Sequence, residues 1–180
     1  NWGRPREEVD MLMELFCKSV INEIEELKRE GVRVRMIGDR STIPAKVLEH
    51  IRILEHETEN NDTINLIFAM NYSSRQEITN TCRELSEMSV KGEIELSDIT
   101  PEFLSAHLYT RSLPDPDLII RTGGEQRLSN FLLWQGAYSE LYFTKTYWPD
   151  FREEELDEAL SNYAVRERRF GLVKQTKPEL

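Results

Sequence analysis

The residues from Arg121 to Ser129 combine side chains that bind phosphate in proteins. This stretch, RTGGEQRLS, follows an apolar run and contains two arginines, two glycines and a serine. The guanidinium groups of Arg121 and Arg127 can each clamp phosphate oxygens, and the hydroxyl of Ser129 can donate a further hydrogen bond. The glycines let the backbone approach a ligand. Residues 130–135 have a helical pattern, and the start of a helix adds partial positive charge. The stretch therefore predicts a phosphate-binding loop.

Residue types alone leave a second interpretation of this loop open. The sequence contains 33 acidic residues, so Arg121 and Arg127 could instead pair with surface carboxylates. A short loop that contains glycine is a weak motif by itself.

Three other groups of residues could take part in the same chemistry. Glu140 lies among aromatic and apolar neighbours, so it is either a surface charge or a ligand for Mg²⁺, which binds carboxylates together with substrate phosphates. Arginines at 166, 168 and 169 suit the end of a helix, or they form a basic tail that closes over a diphosphate. Near the other end, Asn1, Trp2 and Arg4 offer an amide, an indole and a guanidinium before a helix.

Composition limits the kind of protein. A chain of 180 residues with 39% hydrophobic residues suits a single domain with a proper core. The net charge of −10 argues against nucleic acid as the partner. Cys17 and Cys82 lie in helix-like segments, which indicates reduced thiols in a reducing compartment.

The pattern of apolar residues predicts an α/β fold with a mostly parallel sheet surrounded by helices. Helices are predicted at residues 5–29, 44–58, 74–88, 101–109 and 153–169, and strands at 32–38, 64–70, 118–120 and 141–144. Polar turns at 38–39, 71–73 and 121–123 each follow a strand. Because ligands bind at the carboxyl ends of parallel strands, we expect these turns to share one edge. The first strand or strands of such a sheet are absent from the sequence.

With these residues assembled, the chain resembles the cis-prenyltransferases, the family of undecaprenyl diphosphate synthase and dehydrodolichyl diphosphate synthase. The resemblance covers essentially the whole chain, and the block from Arg121 to Glu140 is its most specific part. The matching segments are 1–5, 36–39, 71–75, 117–141, 148–151 and 166–171.

The resemblance implies a reaction, a fold and partners. Members of the family join isopentenyl diphosphate to an allylic diphosphate with magnesium and form a new cis double bond. Their fold is an α/β sheet surrounded by helices, with a hydrophobic tunnel for the growing chain, usually in a dimer. A homodimer is therefore expected, and the lipid product suggests peripheral membrane association.

Residue roles are also implied by the resemblance. Arg121, Arg127 and Ser129 match the residues that hold the diphosphate of isopentenyl diphosphate. Glu140 matches a magnesium ligand that many members contribute across the dimer interface. The remaining matches are Arg169 and Gly171 with an Arg-x-Gly element that reaches the partner's phosphates, Asn1, Trp2 and Arg4 with a loop near the reacting carbon, and Leu12, Met13 and Phe16 with one wall of the tunnel.

Some family features have no match in this sequence. The magnesium-binding aspartate and the arginine and histidine set for the allylic diphosphate precede these 180 residues in the family. We therefore expect residues 1–180 to form one domain that lacks its amino-terminal segment and to be inactive alone. Ser73 and Ser74 replace a common glycine pair, and Gln126 replaces a histidine of bacterial members. Gln126 and residues 1–5 are more similar to plant-type members, for which the compartment would be the cytoplasm or the plastid.

Two alternatives to an active enzyme remain. The chain could be a non-catalytic partner subunit of a heterodimeric cis-prenyltransferase, although the intact residues Arg121, Arg127, Ser129 and Glu140 favour an enzyme. It could also be an α/β phosphate-binding module of other chemistry, which the long specific block disfavours.

Overall fold

The computed structural model describes residues 5–166, which divide between two compact units. The first unit ends at Ser112 and the second begins at Leu113. Among the helices of residues 5–166, none has the length and apolar character needed to cross a bilayer. The organisation into a single domain stays a prediction.

The first unit is built on two parallel strands. Its elements in chain order are α1 (Arg6–Arg29), β1 (Val32–Ile37), α2 (Ala45–Glu57), β2 (Ile64–Ala69), α3 (Ser74–Val90) and α4 (Pro101–Ser105), with a 3₁₀ turn at Leu96–Asp98. Strands β1 and β2 pair in parallel from Val32 with Ile64 to Ile37 with Ala69. The predicted parallel arrangement is confirmed here.

The core of the first unit lies between α1, α2 and the two strands. Ile37 is buried at the end of β1. Val34 and Met36 are buried on one face of β1, because strand residues two apart point to the same face. They meet the apolar faces of the helices in two clusters, formed by Cys17, Met36, Ile43, Val47 and Ile51, and by Val20, Val34 and Leu54.

Two helices of this unit begin at residues whose side chains cap the first turn. Ser73 caps α3 by accepting a hydrogen bond from the backbone N–H of Gln76, and Thr100 caps α4 in the same way for Phe103. Ser74 is fully buried beneath the first turn of α3. Ser73 and Ser74 thus begin a helix.

The turn after β1 can be made only by glycine. Gly38 has a φ of 118°, and a Cβ atom there would lie 2.1 Å from the carbonyl oxygen of Met70. The close approach brings the ends of β1 and β2 together.

The second unit also contains a parallel pair. Its elements are β3 (Leu118–Arg121), β4 (Glu140–Phe143), a 3₁₀ turn at Trp148–Asp150 and α5 (Glu153–Ala164). The strands pair from Leu118 with Glu140 to Arg121 with Phe143. Helix α5 ends five residues before the predicted limit of 169, and residues 167–180 lie outside the described part.

Candidate functional site

Arg121 is the last residue of β3, and its Nε atom is buried. Within the described residues this Nε has no hydrogen-bond partner. A buried N–H group without an acceptor costs about 1–3 kcal/mol, so native proteins rarely leave one unsatisfied. An oxygen of a bound anion would satisfy this donor.

The two glycines that follow hold the loop in place. The backbone N–H of Gly123 donates to the carbonyl of Thr146 at 2.9 Å, and that of Gly124 donates to Thr144 at 2.8 Å. Both residues have positive φ values, 83° and 77°, whereas an added Cβ would meet only ordinary contacts at 3.7–4.0 Å. Within this unit, glycine is therefore required by the backbone conformation and not by close packing.

Arg127 has a carboxylate partner in its own loop. Its Nη1 donates to Glu125, and its side chain is 63% exposed. A guanidinium has five N–H donors, so Arg127 keeps others for a second anion. The sequence prediction that Arg127 is a phosphate clamp stays a prediction, and its competing partner is identified as Glu125.

The predicted helix over residues 130–135 is wrong. Ser129, Asn130 and Leu132 have φ values of 50°, 65° and 45°, in the left-handed region that interrupts a right-handed helix. The segment forms turns, with Phe131 bonded to Leu128 in an i to i−3 pattern. No helix start adds positive charge beside Ser129.

Glu140 and Arg121 lie at opposite ends of the same strand pair. Glu140 is opposite Leu118 at the start of β3, and Arg121 is opposite Phe143. Three residues along a strand cover about 10 Å, and residues an odd number apart point to opposite faces. Within one chain, the two side chains are therefore separated both along the strands and by the sheet.

The carboxylate of Glu140 is held by Arg166. Arg166 Nη1 donates to Glu140 Oε2 at 2.7 Å, and both side chains are half-buried. Arg166 in turn is fixed by Asn162 on α5, whose Oδ1 accepts from Nε at 3.0 Å and from Nη2 at 2.7 Å.

Two of the three polar turns predicted at one sheet edge do meet. The backbone N–H of Asp39 donates to the carbonyl of Asn71 at 3.2 Å, and the Asn71 side chain donates back to the Asp39 carbonyl at 2.8 Å. Hydrogen bonds from the hydroxyl and the backbone N–H of Ser41 hold the pKa of Asp39 below its usual value. Asp39 is therefore a carboxylate at neutral pH. The third turn, 121–123, belongs to the second unit, and its place at this edge stays a prediction.

An apolar cavity of about 430 Å³ lies in the first unit between α1 and β2. Leu12 and Phe16 line it as expected, but Met13 packs into the core beside Cys17. The other lining residues are Leu15, Ser19, Val20, Glu23, Leu27, Leu54, Leu66 and Phe68.

Comparison with known proteins decides the family. The prenyltransferase family model described as undecaprenyl diphosphate synthase matches residues 1–171. The chain belongs to this family. The α/β fold and the assignment to the prenyl-group transferases, both expected from the sequence, are confirmed for this cis-prenyltransferase.

Curated relatives support the assignment along nearly the whole chain. A ditrans,polycis-undecaprenyl-diphosphate synthase specific for (2E,6E)-farnesyl diphosphate, from Xanthomonas axonopodis pv. citri, is 48% identical over 172 residues, covering 96% of this chain and 67% of the relative. An isoprenyl transferase from Thermotoga maritima is 49% identical, with coverages of 95% and 72%.

Solved structures of cis-prenyltransferases match the fold. Lavandulyl diphosphate synthase from Lavandula x intermedia, in complex with dimethylallyl diphosphate, gives a TM-score of 0.92 at 35% identity, covering 95% of this chain and 74% of that one. A probable undecaprenyl diphosphate synthase from Campylobacter jejuni gives 0.81 at 35% identity, with coverages of 95% and 78%. The closeness to plant-type members stays a prediction. The two bacterial relatives above are 48% and 49% identical to the chain, and the lavender protein is 35% identical.

Several predicted site residues of this cis-prenyltransferase lie outside the described residues. They are Asn1, Trp2 and Arg4 at one end, and Arg169 and Gly171 at the other. Their roles stay predictions.

Sequence reasoning missed the partners that hold the site's charged groups. Glu125 was not identified as the partner of Arg127, nor Arg166 as the partner of Glu140. One signal was present: Asn162 and Arg166 are four residues apart, a spacing at which helical side chains meet.

Proposed function

We propose that this cis-prenyltransferase condenses isopentenyl diphosphate with an allylic diphosphate to form a longer cis-prenyl diphosphate. In this reaction the carbon–oxygen bond of the allylic diphosphate breaks, and diphosphate leaves with the electron pair. The double bond of isopentenyl diphosphate attacks the resulting carbocation, a carbon–carbon bond forms, and a proton is lost. The observation that carries the proposal is the buried Nε of Arg121, which awaits an acceptor at the carboxyl end of β3.

Arg121, Arg127 and Ser129 bind the diphosphate of isopentenyl diphosphate in this proposal. Arg121 supplies the buried donor, and Arg127 supplies the exposed one. Charge-assisted hydrogen bonds from guanidinium to phosphate are stronger than neutral ones, and the planar fork fixes the orientation of the diphosphate. The loop is held by the hydrogen bonds of Gly123 and Gly124, so these side chains begin from a fixed backbone.

Magnesium fits Glu140 only as part of a larger set of ligands. Within the described residues, no group of three acidic, histidine or cysteine side chains could hold a metal ion. Mg²⁺ commonly uses one or two carboxylates and completes its shell with water and phosphate oxygens, so one carboxylate from Glu140 is compatible with it. When bound, the ion would take up negative charge on the departing diphosphate.

We further propose that the complete site needs two subunits. In one chain Glu140 is displaced by about 10 Å along the strands from Arg121 and faces the other side of the sheet. Because the two side chains lie on opposite faces of the sheet, a diphosphate bound on one face meets only one of them within a chain. A homodimer in which one chain supplies Glu140 and the other supplies Arg121 resolves this separation.

The cavity beside α1 accommodates the prenyl chain. Its lining is predominantly apolar, with Ser19 and Glu23 as the polar exceptions. Such a lining excludes water from a carbocation. Each methylene of the prenyl chain that is buried there contributes about 0.8 kcal/mol of favourable free energy to binding. Asn1, Trp2 and Arg4 would act near the reacting carbon, and Arg169 and Gly171 at the partner's phosphates. The lipid product makes peripheral membrane association part of the proposal.

The test is a product assay in the natural protein that carries these 180 residues. The protein is incubated with isopentenyl diphosphate, several allylic diphosphates and Mg²⁺, and the prenyl products are separated by chain length. We expect a product whose formation stops when a chelator is added. We expect Arg121→Gln to reduce product formation strongly at limiting isopentenyl diphosphate, whereas Arg111→Gln, at an exposed position, leaves it intact.

Other outcomes would change the assignment. Product formation that continues unchanged in Arg121→Gln would overturn the role of this arginine. No product with any allylic diphosphate, followed by activity after mixing with a second cis-prenyltransferase subunit, would support the partner-subunit alternative. The 180-residue chain is assayed in parallel with the same substrates.

A further inference from the structure

We infer that Arg166 and Asn162 form a positioning pair that fixes the Glu140 carboxylate through Oε2 and leaves Oε1 for the metal ion. The inference rests on the proposed function, in which Glu140 is a magnesium ligand. Arg166 and Asn162 act through Glu140 in this proposal and do not themselves contact metal or substrate.

Arg166 is anchored by Asn162 as well as bonded to Glu140. Its Nε and Nη2 both donate to Oδ1 of Asn162, at 3.0 and 2.7 Å. Two bonds from one planar group to one oxygen fix the plane of the guanidinium. Nη1 is then directed at Glu140, which it meets at 2.7 Å.

Glu140 is fixed at its backbone as well. It is the first residue of β4, and its N–H donates to the carbonyl of Asp117 at 2.9 Å. With both the main chain and Oε2 held, the carboxylate loses most of its rotational freedom. Among the described residues, nothing donates a hydrogen bond to Oε1 of Glu140, so this oxygen is available to a ligand.

The positive charge of Arg166 allows two different roles beside Glu140. If Arg166 only competed with the metal ion for the Glu140 carboxylate, its positive charge would oppose the cation. Removing Arg166 would then strengthen metal binding. A positioning partner instead holds the carboxylate in the geometry that the metal requires, and its loss weakens binding. Groups that orient a metal ligand typically contribute 10- to 100-fold in metal affinity or activity. The two roles therefore predict changes of opposite sign.

Asn162→Ala separates these roles, because it removes the anchor and leaves the charge of Arg166 in place. Binding of Mn²⁺, used in place of Mg²⁺, is measured in the presence of inorganic diphosphate by the paramagnetic resonance signal of the free ion. We expect Asn162→Ala to weaken Mn²⁺ binding about tenfold and Arg166→Met to weaken it by at least as much. In turnover, KM for Mg²⁺ should rise more than kcat falls. Ser161→Ala, at the neighbouring exposed position of α5, serves as the matched control.

The outcomes are distinct. Unchanged or tighter Mn²⁺ binding in both Asn162→Ala and Arg166→Met, while Glu140→Gln abolishes it, would overturn the positioning role and leave the metal assignment intact. Unchanged binding in Glu140→Gln would overturn the metal assignment and this inference together. Thermal unfolding of each variant checks that the fold is kept, and Arg166→Lys should recover part of the affinity because it restores a donor to Glu140.

Discussion

The backbone N–H of Met36 donates a hydrogen bond to the carboxylate of Glu55 at 2.8 Å, so a side chain of α2 closes the outer edge of β1. The same edge is closed at Val34, whose N–H donates to the hydroxyl of Thr58 at 3.0 Å, and at Val32, whose carbonyl accepts from Asn61 at 2.8 Å. Edge strands with unpaired backbone groups promote aggregation. These three side chains satisfy the edge without another strand.

The first prediction concerns Glu55. Replacing it with Leu removes the acceptor for Met36 and for Arg40, whose Nη2 donates to Glu55 at 2.6 Å. We expect the free energy of unfolding to fall by about 1–3 kcal/mol, because the N–H of Met36 would be left without a partner. Urea denaturation measures the change. Glu49→Gln on the same helix, which breaks only an exposed ion pair with Arg52, should change it by less than about 1 kcal/mol.

The second prediction concerns Glu77, which is fully buried in α3. Its carboxylate accepts from the hydroxyl of Tyr72 at 2.5 Å and from the backbone N–H of Tyr109 at 2.7 Å. Glu77→Leu should lower the free energy of unfolding by about 3 kcal/mol, since both donors lose this acceptor. Glu77→Gln, which keeps one acceptor oxygen, should cost less. An equal loss in exposed Glu84→Gln would show that the effect does not come from the buried contacts.

The third prediction compares the two arginines of the proposed phosphate-binding loop, Arg121 and Arg127. Arg121 has a buried donor without an acceptor among the described residues, whereas Arg127 is exposed and paired with Glu125. Arg121→Gln should therefore weaken binding of isopentenyl diphosphate about 10- to 100-fold, and Arg127→Gln by no more than about fivefold. Calorimetric titration measures both affinities. The reverse order would show that the exposed arginine is the main diphosphate ligand.

The fourth prediction concerns product length. Ser19 is a small residue on the wall of the 430 Å³ cavity, and Ser19→Phe would fill part of that volume. We expect shorter prenyl products, with the rate of the first condensation little changed, because only the growing chain meets the new ring. Chromatography of the products gives the distribution. Lys18→Gln, at the adjacent exposed position, should leave the distribution as it is, and an unchanged distribution in Ser19→Phe would exclude this cavity as the chain's path.

Much of the fold could be predicted because local signals and tertiary packing agree. Alternating apolar residues marked β1, and three- and four-residue spacing marked α1, so both elements lie where they were expected. The predicted helix starts at residues 74 and 101 also agree with the first residues of α3 and α4. In these segments, side chains close in sequence determine the structure.

The segment of residues 129–135, which follows the proposed phosphate-binding loop, could not be predicted in the same way. Its apolar residues have helical spacing, yet Ser129, Asn130 and Leu132 adopt positive φ. A left-handed conformation at a residue such as Leu132 costs about 1–2 kcal/mol and is set by tertiary contacts that no local pattern records. The spacing therefore predicted a helix where the chain forms turns.

Partner choice among charged residues was equally hidden. The sequence contains 33 acidic and 23 basic residues, so many different ion pairs are compatible with it. The pair formed by Glu140 and Arg166 depends on how α5 packs against β4, and these residues are 26 positions apart. The sequence named Glu140 as a candidate metal ligand, which stays a prediction, but it did not show that Arg166 holds its carboxylate.

The bonds from Gly123 to Thr146 and from Gly124 to Thr144 have a consequence for evolution and engineering. Because the loop is ordered by the protein itself, the entropy of ordering its backbone is lost during folding and not during each binding event. If the segment that carries Thr144 and Thr146 were less ordered, the loop would lose this entropy at each binding event, and the free energy of ligand binding would be less favourable. Substitutions there would then appear in kinetics as weaker substrate binding, although the altered side chains need never touch the substrate.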